Sequence, residues 1–299
     1  MYYCKVRKAW VHRCSARSCD VKIQPHSFHP IFFQGNGQSL TPLGLQAAIL
    51  HCALVNVLVT SVPALLNVER KTAERIYTNL EVARARHMKS LEAKTIFGKG
   101  HKWADIEADE VDLGKEGDQP SGKAKWEQWG GMVERGQPQT LVLYRLSPKL
   151  TAKRAPGPGP IRLKDWKKVA DKFLRRREVI LHTDGARAYK LKIPGVIHDH
   201  VVHKKKRVKI NGKFTWVKPH YTKVYTHKLP CGKTVKVKSG TQIIDRFWGI
   251  LRQGLKFVSR KPGSCLLERK VRSIQWIYCH KGANIWKATG EMLQFLQKS

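Results

Sequence analysis

Residues 178–183, EVILHT, form a short apolar run without alternation, the pattern of a strand covered on both of its faces. The sequence before it supplies the other pieces of a layered domain. Asp105–Leu113, Trp126–Val133 and Thr140–Leu146 are β-rich runs parted by turns rich in Gly, Pro and Ser, as in consecutive antiparallel strands. The stretch SPKLTAKRAPGPGP reads as a connector too stiff and polar to belong to an element. Ile161–Arg177 then places Leu163, Trp166, Val169, Ala170 and Phe173 at helical spacing. Three strands, a helix and a buried strand predict an α/β fold with a mixed sheet and flanking helices. With 299 residues, 41% of them apolar, the chain can build a sizeable core.

Two smaller regions precede this domain, which takes in residues 99–299. Residues 1–35 are rich in Cys and His, and Cys4, His12, Cys14, Cys19, His26 and His29 are candidate metal ligands. A zinc ribbon needs two close Cys pairs, whereas here Cys14 and Cys19 are close and Cys4 lacks a near partner. Free thiols with surface histidines are the alternative to bound zinc. Residues 36–98 read as a small helical unit. Within it Leu43–Leu66 carries no charge over 24 positions, long enough to cross a bilayer, but Gln46, His51, Asn56 and Pro63 favour a buried helix followed by a turn. Val62–Lys71 then reads as a short helix, a turn at Asn67 and a second helix capped near Glu69. That is helix-turn-helix spacing, with Arg70, Lys71, Arg75 and Arg84 expected on the polar side of the second helix. Any three-helix packing unit produces the same pattern.

Charge narrows the partner. Lys and Arg number 57 against 22 Asp and Glu, a formal net charge of +35. Positive charge spread so widely implies a polyanion, nucleic acid first, since every phosphate that is neutralised releases condensed counterions. Between His200 and Ile244 there are 12 Lys and Arg and no Asp or Glu. This basic insertion, at about 200–240, opens with Lys204, Lys205, Lys206 and Arg207 and interleaves Trp216, Tyr221 and Tyr225. It is expected to lie on phosphate with its aromatics free to stack on exposed bases; a nuclear localisation run within a solvated loop is the plainer reading. Seven cysteines, an odd number, and no signal peptide fit a reducing compartment, nuclear in a eukaryote or at the nucleoid in a bacterium, and not a secreted or membrane protein.

In so basic a chain, three aspartates call for a reason. Asp109 sits in IEADEVDLGK, Asp184 in VILHTDGARAYK and Asp245 in GTQIIDRFWGILRQGLK. They are 75 and 61 residues apart, so only a sheet can gather them. In-line cleavage of a phosphodiester uses one metal to activate the attacking oxygen and another to stabilise the leaving one, and Mg²⁺ or Mn²⁺ takes carboxylate oxygens as ligands. Asp109 on a first strand, Asp184 at the end of the buried one and Asp245 on a helix could converge on two ions. Gly185 is expected to permit the tight exit turn after Asp184. On the helix, Ile244, Phe247, Leu251 and Leu255 form the apolar stripe, leaving Asp245, Trp248, Arg252 and Lys256 on an adjoining one, the two cations placed to hold phosphates. The plainer reading of Asp245 is a partner for the helix dipole. Glu110 and His182 flank the acids as accessory candidates or as ordinary strand residues.

Together, ADEVDLGK, HTDGARAYK and GTQIIDRFWGILRQGLK resemble the three acidic blocks of DDE transposases of the ISXO-like insertion-sequence type, related to the Merlin elements. The resemblance covers roughly Trp103 to Cys279. It implies a ribonuclease H-like core, two divalent metals held by Asp109, Asp184 and Asp245, and cut-and-paste strand transfer on double-stranded DNA. Transposon ends and target would both be bound, by a homo-oligomer. At the third block the chain has Asp245 and Gln242 where the family commonly has Glu and Asn. A catalytically inactive, transposon-derived DNA-binding protein is therefore the alternative, and a structural RNA-binding or ribosomal protein is a second.

Overall fold

A computed structural model describes residues 1–5, 9–19, 21–24, 26, 29–33, 41–100, 102–118, 122–202, 206–210, 212–217 and 220–298. It divides into two compact units, one of residues 1–90 with 280–299 and one of 91–279.

In the first unit three short strands, β1 (Tyr2–Cys4), β2 (Ala9–Arg13) and β3 (Lys22–Ile23), pair antiparallel in that order. Helices α1 (Leu43–Leu54), α2 (Val62–Leu66) and α3 (Arg70–Lys94) follow. The uncharged stretch is thus a helix and a turn, and no helix among the described residues is long and apolar enough to cross a membrane. Gln46 on α1 is fully buried because its amide is fully used: it accepts from the Phe33 N–H and donates to the carbonyls of Phe33 and Thr41. The turn falls at Asn67, which closes α2 in the left-handed conformation (φ 49°). One expectation fails here. Arg84, placed by sequence on the polar side of α3, is buried, and desolvation pulls its guanidinium pKa down to about 10 against the charge of Glu81. Arg84 lies nine residues beyond Arg75, half a turn out of phase at about 100° per residue, and so falls on the buried face with Ile76 and Leu80.

The second unit is mixed α/β. Its six-stranded sheet holds β4 (Ala104–Asp118), β5 (Lys123–Glu134), β6 (Gln137–Arg145), β7 (Lys149–Ala152), β8 (Val179–Thr183) and β9 (Val196–His200). The order is β6-β5-β4-β8-β9, antiparallel from β6 to β4 and parallel from β4 to β9. β8, the apolar run, sits between two strands and is buried at all five positions. The connector reading of residues 147–160 needs correction, because Lys149–Ala152 is strand β7. β6 covers β5 from Trp129 onward, and β7 takes the open edge left at Lys123–Trp126. The strand runs there because unpaired backbone groups on β5 would otherwise face no partner.

Helix α4 (Leu163–Phe173) covers one face of the sheet, where Trp166, Ala170 and Phe173 meet Ile106, Ala108, Met132, Val142 and Leu181. Helices α5 (Gln242–Gly254) and α6 (Cys265–Cys279) cover the other. α6 is fastened to β6 by buried polar groups: Arg272 pairs with Glu92 and donates to the Leu143 carbonyl, while Gln275 donates to Glu92 and to the Leu141 carbonyl. The basic insertion forms two separate antiparallel ribbons, β10 (Lys206–Ile210) with β11 (Lys213–Val217) and β12 (Lys223–Lys228) with β13 (Thr234–Ser239). A last helix, α7 (Ile285–Lys298), belongs to the first unit.

Candidate active site

Strand alternation sends Ile106, Ala108 and Glu110 of β4 to the α4 side and Asp105, Glu107 and Asp109 to the α5 side. Glu107, 1% exposed, is the anchor on that second face. One carboxylate oxygen accepts the backbone N–H groups of Ile243 (2.7 Å) and Ile244 (3.1 Å), free donors in the first turn of α5. The other oxygen pairs with Arg135 Nε at 2.8 Å, and Arg135 also donates to the carbonyls of Lys238 and Gly240, which lead into the helix. A buried anion at a helix N-terminus satisfies both the orphan donors and the dipole. α5 is thereby docked onto β4 in a fixed register.

Two residues along, Asp109 Oδ2 accepts Nε1–H of Trp248 at 3.1 Å, a second bond between the same strand and helix. Trp248 is 2% exposed, so it is buried with the apolar stripe of α5 rather than standing exposed with Asp245, Arg252 and Lys256 of the adjoining one. Gly131, opposite Asp109 on β5, makes the approach possible: a Cβ there would lie 2.8 Å from the Trp248 ring.

Asp184 follows the end of β8. β8 runs parallel to β4 with His182 beside Glu107, and continuing that register brings Asp184 level with Asp109. Its Oδ1 accepts the Ala186 N–H at 2.9 Å, an Asx-type turn that holds the carboxyl. The chain turns at Gly185 as expected, though without a left-handed φ; the pressure there is space, since a Cβ would lie 2.9 Å from Val202 Cγ2. Asp245 stands in the first turn of α5, exposed, with Oδ2 accepting the Thr241 hydroxyl at 3.0 Å.

Two of the acids act on the third. Asp109 keeps some access to solvent while protein surrounds it on most sides, and its pKa stands well above the ordinary carboxyl value. Desolvation is the largest cause, followed by the negative charges of Glu110, Asp245 and Asp184, with a hydrogen bond from the Glu110 N–H opposing them. Every side-chain charge in that balance is an acid. Carboxylates from β4, from the end of β8 and from α5 are therefore brought within electrostatic reach of one point.

Glu110 and His182 are both committed elsewhere. Glu110 accepts the Tyr189 hydroxyl at 2.5 Å and the Ile161 N–H at 3.0 Å. His182 is fully buried and bridges two carboxylates, Nε2 to Asp105 at 2.8 Å and Nδ1 to Asp199 at 2.7 Å, while His227 bonds the second oxygen of Asp199 at 2.9 Å. Burial pushes the His182 pKa down, but the hydrogen bonds to Asp105 and Asp199 outweigh it and the net shift is upward. With a carboxylate on each nitrogen the imidazole ties β4, β8 and β9 together and has no lone pair left for a metal or its water.

Of the proposed phosphate contacts, Arg252 is exposed on α5 and near enough to Asp112 to lower that carboxyl's pKa against burial, the larger, raising effect. Lys256 lies past the end of α5, its ammonium 5.4 Å from the ring centre of Phe257, which is 92% exposed. Arg207 is exposed on β10, which begins at Lys206; Lys204 and Lys205 lie outside the described residues. In the first unit Lys71 and Arg75 are exposed on α3, with the Arg75 guanidinium over the Phe33 ring at 4.2 Å. Cys4 is buried; Cys14 and Cys19 sit side by side, and a backbone hydrogen bond at Ala16 and then the Cys19 thiol lower the pKa of the exposed Cys14.

No group of three or more His, Cys, Asp or Glu side chains among the described residues is arranged as it stands to hold a metal ion. The chemistry of the Asp109 cluster nevertheless fits a hard divalent cation, since its donors are carboxylate oxygens and its half-buried member has its pKa raised by burial and by like charges, both of which a cation would offset. Glu107 and Arg135, which set the position of α5, were missed by sequence reasoning. The signal was present in DIEADE, where acids at alternate positions share one face of a strand that cannot be fully exposed. The chain matches no protein-family model and no curated protein.

Proposed function

We propose that this chain is a DNA transposase of the insertion-sequence type that its acidic blocks resemble, with the six-stranded unit as a ribonuclease H-like catalytic core. One observation carries the reading: Asp184 and Asp245, remote in sequence from Asp109 and from each other, both lie within electrostatic reach of the half-buried Asp109 carboxyl in a chain of net charge +35. A mixed sheet with helices on both faces supports it in outline. The substrate is double-stranded DNA, nicked at an element end and then joined to a target through the freed 3′ hydroxyl.

Asp109 and Asp184 would hold Mg²⁺ or Mn²⁺, and Asp245 would complete the shell of a second ion; bound there, such ions acidify water and offset the charge that builds on a phosphate undergoing displacement. The chain's own groups fix the ligands. Trp248 holds one oxygen of Asp109, the Ala186 N–H holds one of Asp184, and the Thr241 hydroxyl holds one of Asp245. Glu107 keeps the third acid's helix against the first acid's strand. Arg252, exposed on α5, would meet the phosphate backbone.

Nicking of a DNA duplex that depends on Mg²⁺ or Mn²⁺ and vanishes in Asp184→Ala is the expected result. Equal nicking by both proteins would sink the assignment. A non-catalytic DNA binder of the same origin is the second reading, favoured by the exposure of Asp245 and its bond to Thr241, which suit a helix-end acid as well as a ligand. Asp245→Glu separates the two: a gain of cleavage marks a weakened enzyme, and silence in both forms marks the binder.

A further inference from the structure

The two ribbons of the basic insertion treat their side chains differently. In β12–β13 one face is turned inward: Tyr225, His227, Val235, Val237 and Ser239 are part-buried or buried, the Tyr225 hydroxyl donates to the His200 carbonyl, and His227 bonds Asp199. In β10–β11 every position of β11 is exposed, and so are Arg207, Val208 and Lys209 of β10. Among the described residues each strand of this second ribbon pairs with the other alone.

Its register sorts the residues. Arg207 lies opposite Trp216 and Lys209 opposite Phe214, so two cations and two aromatic rings share one face. Trp216 is 64% exposed and Phe214 61%. The Arg207 guanidinium stands 4.4 Å from the Phe214 ring centre, which shows that ring offering its face to a flat group. An isolated two-stranded ribbon is marginal in water, and clustered aromatic surface on it marks a partner.

We propose that the Arg207, Lys209, Phe214 and Trp216 face of this ribbon binds unpaired single-stranded DNA, stacking bases on the two rings and holding phosphates with the two cations. The charge selects a polyanion. The rings select one with exposed planar faces, which a duplex hides within its own stack and an unpaired strand presents. The spacing agrees: residues two apart on a strand are about 6.8 Å apart, room between the rings for one base of about 3.4 Å repeat. The choice of DNA rests on the transposase reading, in which strand ends are freed at the cut.

The test is fluorescence anisotropy of the full chain with a labelled short oligothymidylate, and with a duplex of equal length, at several salt concentrations. Phe214→Ala/Trp216→Ala should weaken single-strand binding at least about tenfold, leave duplex binding and the thermal midpoint unchanged, and be rescued by Phe214→Tyr/Trp216→Tyr. Arg207→Ala/Lys209→Ala should make the single-strand salt slope shallower by roughly 1.4. An equal loss on duplex would overturn the assignment in favour of a groove contact, and tighter binding of oligouridylate would overturn the choice of DNA. Metal-dependent nicking together with unaltered single-strand binding by the alanine variant would sink the ribbon assignment alone. Loss of strand binding in the alanine variant, in a chain that cleaves nothing and stays silent as Asp245→Glu, would uphold the ribbon and sink the transposase reading.

Discussion

The two faces of the central sheet are built from the same strands and on opposite plans. Toward α4, β4 offers Ile106 and Ala108 and β8 offers Leu181, closed over by Trp166 and Phe173. Toward α5, the same strands offer Asp105, Glu107, Asp109 and His182. The first face is held chiefly by contact area, with Glu110, bonded to the Tyr189 hydroxyl and the Ile161 N–H, as its polar exception. The second is held by named bonds, each partner specified: Glu107 to the first turn of α5 and to Arg135, Asp109 to Trp248, His182 to two carboxylates. The contrast teaches that the α5 face depends on which polar partner stands where, whereas the α4 face depends chiefly on how much apolar volume is filled.

Breaking the apolar face should cost most. Trp166→Ala empties a fully buried site and is expected to destabilise by about 3–5 kcal/mol in denaturant unfolding. On the charged face, Glu107→Ala leaves Arg135 and two N–H groups without their acceptor and should cost about 3 kcal/mol; the isosteric Glu107→Gln should cost less while still lowering nicking, since α5 shifts. Gly131→Ala drives a methyl into the Trp248 ring and is expected to cost about 2 kcal/mol, with Trp248→Phe relieving part of it.

Asp109→Asn should go the other way. It removes a half-buried carboxyl set among acids, and should stabilise the cation-free protein in denaturant unfolding at pH values above the folded pKa. The folded pKa of Asp109 lies above the unfolded value of about 4, so its favourable contribution is complete below that pH and is lost as pH rises through the folded value. The stability of the unaltered chain relative to Asp109→Asn should therefore fall as pH rises through that window in metal-free buffer; a constant difference would show that the crowding of acids is not felt. Smallest of all, Asp245→Ala should change the unfolding free energy by less than about 1 kcal/mol, because the side chain is exposed, while abolishing any nicking.

The apolar plan was legible and the charged plan only in part. EVILHT announced a doubly covered strand because burial leaves a local mark, and Trp166, Ala170 and Phe173 announced α4 by their spacing. Asp109, Asp184 and Asp245 could be picked out as acids in a basic chain. What joins them could not, because Glu107 reaches Ile243 across 136 residues and Arg135 reaches Gly240 across 105. Such bonds repeat no period that a window can detect. Trp248 was misplaced for a related reason: helical spacing places a ring on a stripe, and only the missing side chain of Gly131 shows that the stripe can sink into the sheet. Strand β7 escaped because its identity comes from the open edge of β5 rather than from LTA itself.

Because Glu107 and Asp109 are neighbours on one strand face and each grips α5, the distance between the first and third acids is geared to a single rigid joint. Asp184 rides on a separate mount, a turn secured by its own bond to Ala186. The first and third acids thus share one mount, and the place of Asp184 beside them is decided by how the chain leaves β8.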